Sequence, residues 1–115
     1  MTLGAMIDTL KRKEPDSPVY FDFVHFSPSG IHSYRGYYDQ LAIGYGHENI
    51  TVAQLLKLCE EADGKTFTGY KGGDYHMDRS TPVWVANHNE SGSTAIVDIR
   101  DGGWRTILVT TSIDD

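Results

Sequence analysis

The chain holds many residue types capable of chemistry, but their spacing does not make a catalyst. His25, His32, His47, His76 and His88 are scattered, with no H-x-x-x-H or C-x-x-C pattern. A metal centre needs several His, Cys or carboxylate ligands at workable spacing, so no metal is expected. His25-Phe26-Ser27 matches one half of the H-x-[S/T] pair of two-histidine phosphodiesterases, and none of the other histidines supplies the second half. Asp74 and Asp78, four apart, have the types for acid–base work, although two carboxylates near a glycine-rich turn carry little specificity. Cys59 is alone, on what reads as the apolar face of a helix, where a thiol behaves as a small buried hydrophobe. There is no G-x-S-x-G elbow. The expectation is a protein that is not an enzyme and needs no cofactor.

Residues suited to binding are grouped more closely. Ser33-Tyr34-Arg35-Gly36-Tyr37-Tyr38-Asp39 sets an arginine among three tyrosines, and Tyr70-Lys71-Gly72-Gly73-Asp74-Tyr75 sets a lysine and two glycines between two more. Glycine lets backbone N–H groups approach an anion, and Lys or Arg adds charge. Tyrosine stacks on a base or hydrogen-bonds a sugar. Arg100 and Arg105 flank Asp101-Gly102-Gly103-Trp104, which brings charge beside an indole face. Asp39, Asp74 and Asp101 are candidate acceptors for ribose hydroxyls. The candidate ligand-binding set is therefore Tyr34, Arg35, Tyr38, Tyr70, Lys71, Asp74, Arg100, Asp101, Trp104 and Arg105. The same tyrosines and glycines also suit a purely structural role in packing a sheet and shaping its turns. Neither G-x-x-x-x-G-K-[S/T] nor G-x-G-x-x-G is present. From the residues alone, ligand binding, protein interaction and catalysis all stay open.

The elements that would position these residues are legible in outline. Thr2 can cap a helix over residues 3–13, with Leu3, Ile7 and Leu10 on one face and Lys11-Arg12-Lys13 at its end. Residues 19–26 alternate as an aromatic strand, and 27–33 reads as a loop from its Pro, Gly and Ser content. A short strand follows at 41–45. Thr51 caps a second helix whose apolar face is Val52, Leu55, Leu56 and Cys59 and which Gly64 ends. After the Gly/Tyr-rich segment come strands near 82–87, 94–100 and 104–111, joined by turns at Asn89–Gly92 and Asp101–Gly103. The expected fold is α+β: two helices packed on a mainly antiparallel sheet ending in a three-stranded meander, with residues 1–115 as one ligand-binding domain.

Composition narrows the partners. The chain has 115 residues and a net charge of −6, from 16 acids against 10 bases. Such a balance excludes duplex nucleic acid as a partner, because that binding uses a broad basic surface, but leaves a small anionic ligand open. No apolar run is long enough to span a membrane. The unpaired cysteine and the lack of a signal-like leader point to the cytoplasm.

His32-Ser-Tyr-Arg-Gly-Tyr-Tyr-Asp-Gln-Leu-Ala42, the helix from Thr51 and Lys65-Thr-Phe-Thr-Gly-Tyr-Lys-Gly-Gly-Asp-Tyr75 resemble the first described family of phage-encoded Thoeris anti-defence proteins. The opening Leu3-Gly4, Ile7-Asp8 and Leu10 fit the same pattern, so the resemblance spans most of residues 3–78. It implies a homo-oligomer, a hexamer in described members, acting in the infected host cell. Such proteins sequester cyclic ADP-ribose isomers made by TIR-domain immune enzymes, and some also hold cyclic oligonucleotides. They do not cleave the ligand. Under this reading Arg35, Lys71, Arg100 and Asp101, with the aromatics near them, would contact the ligand, in pockets between subunits. The rivals are an inhibitor that binds a host defence protein directly and a phosphodiesterase that cleaves the signal. Dispersed acids, with no run longer than Glu60-Glu61, weigh against mimicry of nucleic acid.

Overall fold

The computed structural model describes residues 1–23, 26–34, 37–68, 72–86 and 93–113, with the side chains of residues 37, 38, 93 and 113 outside the description. The architecture is α+β: two helices, a six-stranded mixed and strongly curled sheet, and a separate two-stranded hairpin. In chain order the elements are α1 (Leu3–Leu10), β1 (Val19–Phe21), β2 (Ser27–Tyr34), β3 (Tyr37–Gly46) and α2 (Val52–Ala62). They continue with β4 (Thr66–Thr68), β5 (Asp74–His76), β6 (Val83–Val85), β7 (Ser93–Asp101) and β8 (Thr106–Ile113).

Both helices start where the side-chain chemistry says they should. The Thr2 hydroxyl accepts from the Ala5 N–H. Thr51 and Gln54 form a reciprocal capping box, each side chain accepting from the other's backbone N–H. The expected run of α1 to residue 13 is corrected. The helix stops at Leu10, and the Arg12 and Lys13 backbone N–H groups donate to the Thr9 and Leu10 carbonyls in the tighter turns that follow. Lys11-Arg12-Lys13 thus form a turn beyond the helix.

The sheet order is β1-β8-β7-β6-β3-β2. β6, β7 and β8 form the expected antiparallel meander, and the Asn89–Gly92 turn assigned to its first connection lies outside the described residues. Two parallel joins, β1 with β8 and β3 with β6, make the sheet mixed. The second of these needs a long crossover, which α2 and the β4–β5 hairpin supply.

The segment 27–33, read as a loop, is a strand. β2 pairs antiparallel with β3 from Ser27↔Gly46 to Ser33↔Leu41, with a register shift between Pro28 and Gly30. Proline and glycine are tolerated because β2 is last in the sheet order, where no ladder donor is needed on one side and a bulge can absorb the irregularity. The aromatic strand expected over 19–26 correspondingly ends at Phe21.

Curling brings the β1 and β2 ends of the sheet together. Ser27, fully buried, donates its hydroxyl to the Val19 carbonyl at 2.7 Å and accepts from the Ile50 N–H at 3.0 Å. The Phe21 N–H donates to the Phe26 carbonyl beside it. Inside this curl one apolar cluster forms. Leu3, Met6, Ile7 and Leu10 of α1 and Val52, Leu55, Cys59 and Ala62 of α2 meet Val19, Phe21, Leu41, Ile43, Val83, Val85, Ile96, Ile99 and Leu108 of the sheet. Each strand therefore turns alternate residues inward to the helices, and the others face outward.

Candidate functional site

The outward face of the sheet, opposite the helices, carries the residues suited to recognition. Paired residues on neighbouring strands project to the same side. Arg100 of β7 pairs with Ile107 of β8, and Ile107 pairs with Tyr20 of β1, so the three make a row across adjacent strands. Ile107 is buried yet stands outside the helix-packed cluster, because the β7–β8 turn folds over it. A Cβ on Gly102 would lie 2.6 Å from Ile107 Cδ1, so any larger residue there would push that side chain aside. The Gly102 N–H donates to the Arg105 carbonyl at 2.7 Å, and Gly103 takes φ +81°, a left-handed conformation that suits glycine.

This turn lifts Trp104 into solvent at 69% exposure. Tyr20 meets its edge with ring centroids 5.8 Å apart, and the Arg105 guanidinium lies 5.5 Å from its ring centroid. Arg105 Nε is buried and has no hydrogen-bond partner. An aromatic platform with one arginine over it, and a second arginine on the same face of the sheet, can stack a base and hold an anion. Asp101, next in β7 after Arg100, pairs with the buried Thr106 and forms an ion pair with Lys13 at 3.5 Å.

The remaining candidates lie elsewhere. Tyr34 is only 2% exposed and stacks on Trp84 with centroids 5.6 Å apart. Trp84 Nε1 donates to Gln40 Oε1. Tyr34 is thus a packed part of the outer face and offers little surface to a ligand. Trp84 pairs with Ala95, and Asp101 is six residues further along β7, roughly 20 Å of strand. Within one chain the Tyr34 stack and the Trp104 turn are therefore separate sites. Asp74 lies on the β4–β5 hairpin, where its carboxylate accepts from Thr68 Oγ1 at 3.3 Å. Arg35, Tyr70 and Lys71 lie outside the described residues, as do His25 and the side chain of Tyr38.

Of the candidate set, then, the structure joins Trp104 and Arg105, sets Arg100 on the same outward face, and turns Asp101 to the other side of the sheet end. It adds Tyr20 and Lys13, which reading along the chain did not select. Strand alternation over residues 19–26 already sets Tyr20 on the face opposite Val19 and Phe21, although it does not mark Tyr20 as a ligand contact. Nothing local could have paired Lys13 with a residue 88 positions away.

The catalytic candidates separate in the same way. Asp78 has its carboxyl held below its usual value of 3.8, first by the Ser80 hydroxyl, then by the Ser80 backbone N–H, with His76 and the Thr81 backbone adding to the effect. It is the acceptor of a tight turn, receiving both Ser80 groups at 2.8 and 2.6 Å. Asp74, on the hairpin strand, does not share that turn. Cys59 is fully buried in the apolar cluster. Among the described residues no three His, Cys, Asp or Glu side chains are placed to hold a metal ion, and no helix is long and apolar enough to cross a membrane. No protein-family model, curated protein or solved structure matches the chain.

Proposed function

We propose that the protein binds a small phosphorylated nucleotide, of the cyclic ADP-ribose or cyclic oligonucleotide kind, and sequesters it without cleaving it. The observation that carries this reading is the β7–β8 turn. It presents an exposed indole with Tyr20 at its edge and Arg105 over its face, on the same face of the sheet as Arg100. A base stacked on Trp104 contributes about 1–3 kcal/mol, and each charge-assisted arginine contact about 1.5–3 kcal/mol. Capture at about 1 nM requires about −12 kcal/mol, more than one such platform supplies after the entropy of immobilisation. A pocket closed by a second copy would add contacts and exclude water. Pairing the Tyr34–Trp84 stack of one copy with the Trp104 turn of another would join regions that one chain holds apart. The resemblance of residues 32–42 and 65–75 to phage anti-defence sponges supports the same reading.

The test is to mix the purified protein with TIR-derived cyclic ADP-ribose isomers and cyclic oligonucleotides, heat the mixture, and identify what is released. Intact ligand recovered only after denaturation is the expected result. A cleaved product would make the protein an enzyme. Absence of any bound nucleotide would favour an inhibitor that binds a host protein directly.

A further inference from the structure

Lys13 is unusual among the described lysines. Lys11, Lys57 and Lys65 are exposed, whereas the Lys13 side chain is only 17% exposed. Its ion partner, Asp101, is by contrast 77% exposed. The protein thus holds an ammonium against its surface and covers it with a carboxylate that stands mostly in water. An ammonium has three donors, and one carboxylate oxygen at 3.5 Å leaves donors to spare. An exposed carboxylate of this kind gains little from the pair and is readily displaced. A phosphate brings more charge and more acceptor oxygens to the same ammonium.

Position argues for the same use. Asp101 follows Arg100 in β7, so it leaves the sheet on the opposite side, toward the turn that ends α1. Trp104, against the outward Tyr20, and Arg105 over its ring stand on the other side of the same sheet end, three and four residues along the turn. The charges adjoining Lys13 in the chain are Lys11 and Arg12 before it and Glu14 and Asp16 after it, all exposed. A ligand with a base and two phosphates can lay the base on Trp104, set one phosphate beside Arg105 and Arg100, and carry the other over the rim to Lys13.

We infer that Lys13 is a phosphate subsite and that Asp101 is the internal anion that occupies it until ligand arrives. The ligand class is a nucleotide with at least two phosphate groups. This deepens the proposed function and rests on it for the base, but not for the phosphate. It also reverses the role first expected of Asp101: the carboxylate competes with the ligand instead of accepting from its ribose.

The experiment is calorimetric titration of the full chain with inorganic pyrophosphate and, separately, with ADP, using wild type, Asp101→Asn, Lys13→Gln and Trp104→Ala. Asp101→Asn is expected to tighten both probes about two- to fivefold. Lys13→Gln is expected to weaken both about tenfold, with Lys13→Arg retaining most of the affinity. Trp104→Ala should weaken ADP and leave pyrophosphate unchanged. Weaker or unchanged binding in Asp101→Asn, or failure of pyrophosphate to bind either wild type or this variant, overturns the subsite. ADP that binds equally to wild type, Asp101→Asn and Lys13→Gln overturns the subsite while leaving nucleotide binding intact. Pyrophosphate that tightens in Asp101→Asn, with ADP no better than pyrophosphate, keeps the subsite and overturns the nucleotide reading.

Discussion

Cys59 shows how burial decides the chemistry of a single residue. Its side chain is sealed between α2 and the sheet, and that burial, with the Glu60 charge adding to it, pushes the thiol from 9.0 up to about 12. A thiol this unwilling to ionise is a poor nucleophile. A thiol reagent such as Ellman's should leave the folded protein unmodified at pH 8 and react with one equivalent after denaturation; rapid reaction in the native state would contradict the packing. The sign of the pH dependence follows. The folded thiol holds its proton more tightly than the unfolded one, so this contribution is fully present below about pH 9 and is lost as pH rises toward about 12. Asp78 acts at the other end of the scale. Its lowered carboxyl favours the folded state above 3.8, and that contribution disappears as pH falls below it. Acid unfolding of Asp78→Asn should therefore depend less steeply on pH below 4 than that of wild type.

At the scale of elements, two hydrogen-bonding devices carry testable consequences. Thr51→Ala removes half of the α2 capping box and should cost about 1 kcal/mol in urea denaturation. Ser27→Ala should cost more, about 2–3 kcal/mol, because it strips both the Val19 carbonyl and the Ile50 N–H of their partner at the buried seam where the sheet ends meet. Equal losses in the two variants would mean that the seam is less important to closure than its burial implies. α2 could be read from its sequence because cap, apolar spacing and terminating Gly64 all lie within one short stretch. β2 could not. Pro28, Ser29 and Gly30 have loop propensities, and only their position at the sheet's end makes them a strand.

For the whole molecule, the separation between the Tyr34–Trp84 stack and the Trp104 turn is the fact with the most consequence. Both stand on the face of the sheet that the helices leave open, and roughly 20 Å of β7 lies between them. If a closed pocket uses both, it needs more than one copy. Light scattering after gel filtration should then give a mass that is a multiple of 12.8 kDa. Tyr34→Ala should lower stability, since Tyr34 is buried against Trp84, whereas Trp104→Ala should change it by less than about 1 kcal/mol. A thermal melt with and without nucleotide separates these cases: the first variant melts lower in both, and the second loses only the ligand-induced rise.

What the amino-acid order determined by itself was local. Hydroxyl caps at Thr2 and Thr51, apolar spacing in the two helices, alternation in the terminal strands and the glycine turn at 102–103 follow from interactions within a few residues, as do the absence of a spaced metal motif and the clustering of arginine with tryptophan at 100–105. Tertiary structure decided whatever joins distant segments. The parallel pairing of β1 with β8, the seam at Ser27, the burial of Tyr34, and the meeting of Lys13 with Asp101 all depend on how a curled sheet closes around two helices. Such contacts are fixed by the shared burial of one apolar cluster, a property of the whole chain that no short stretch of it contains.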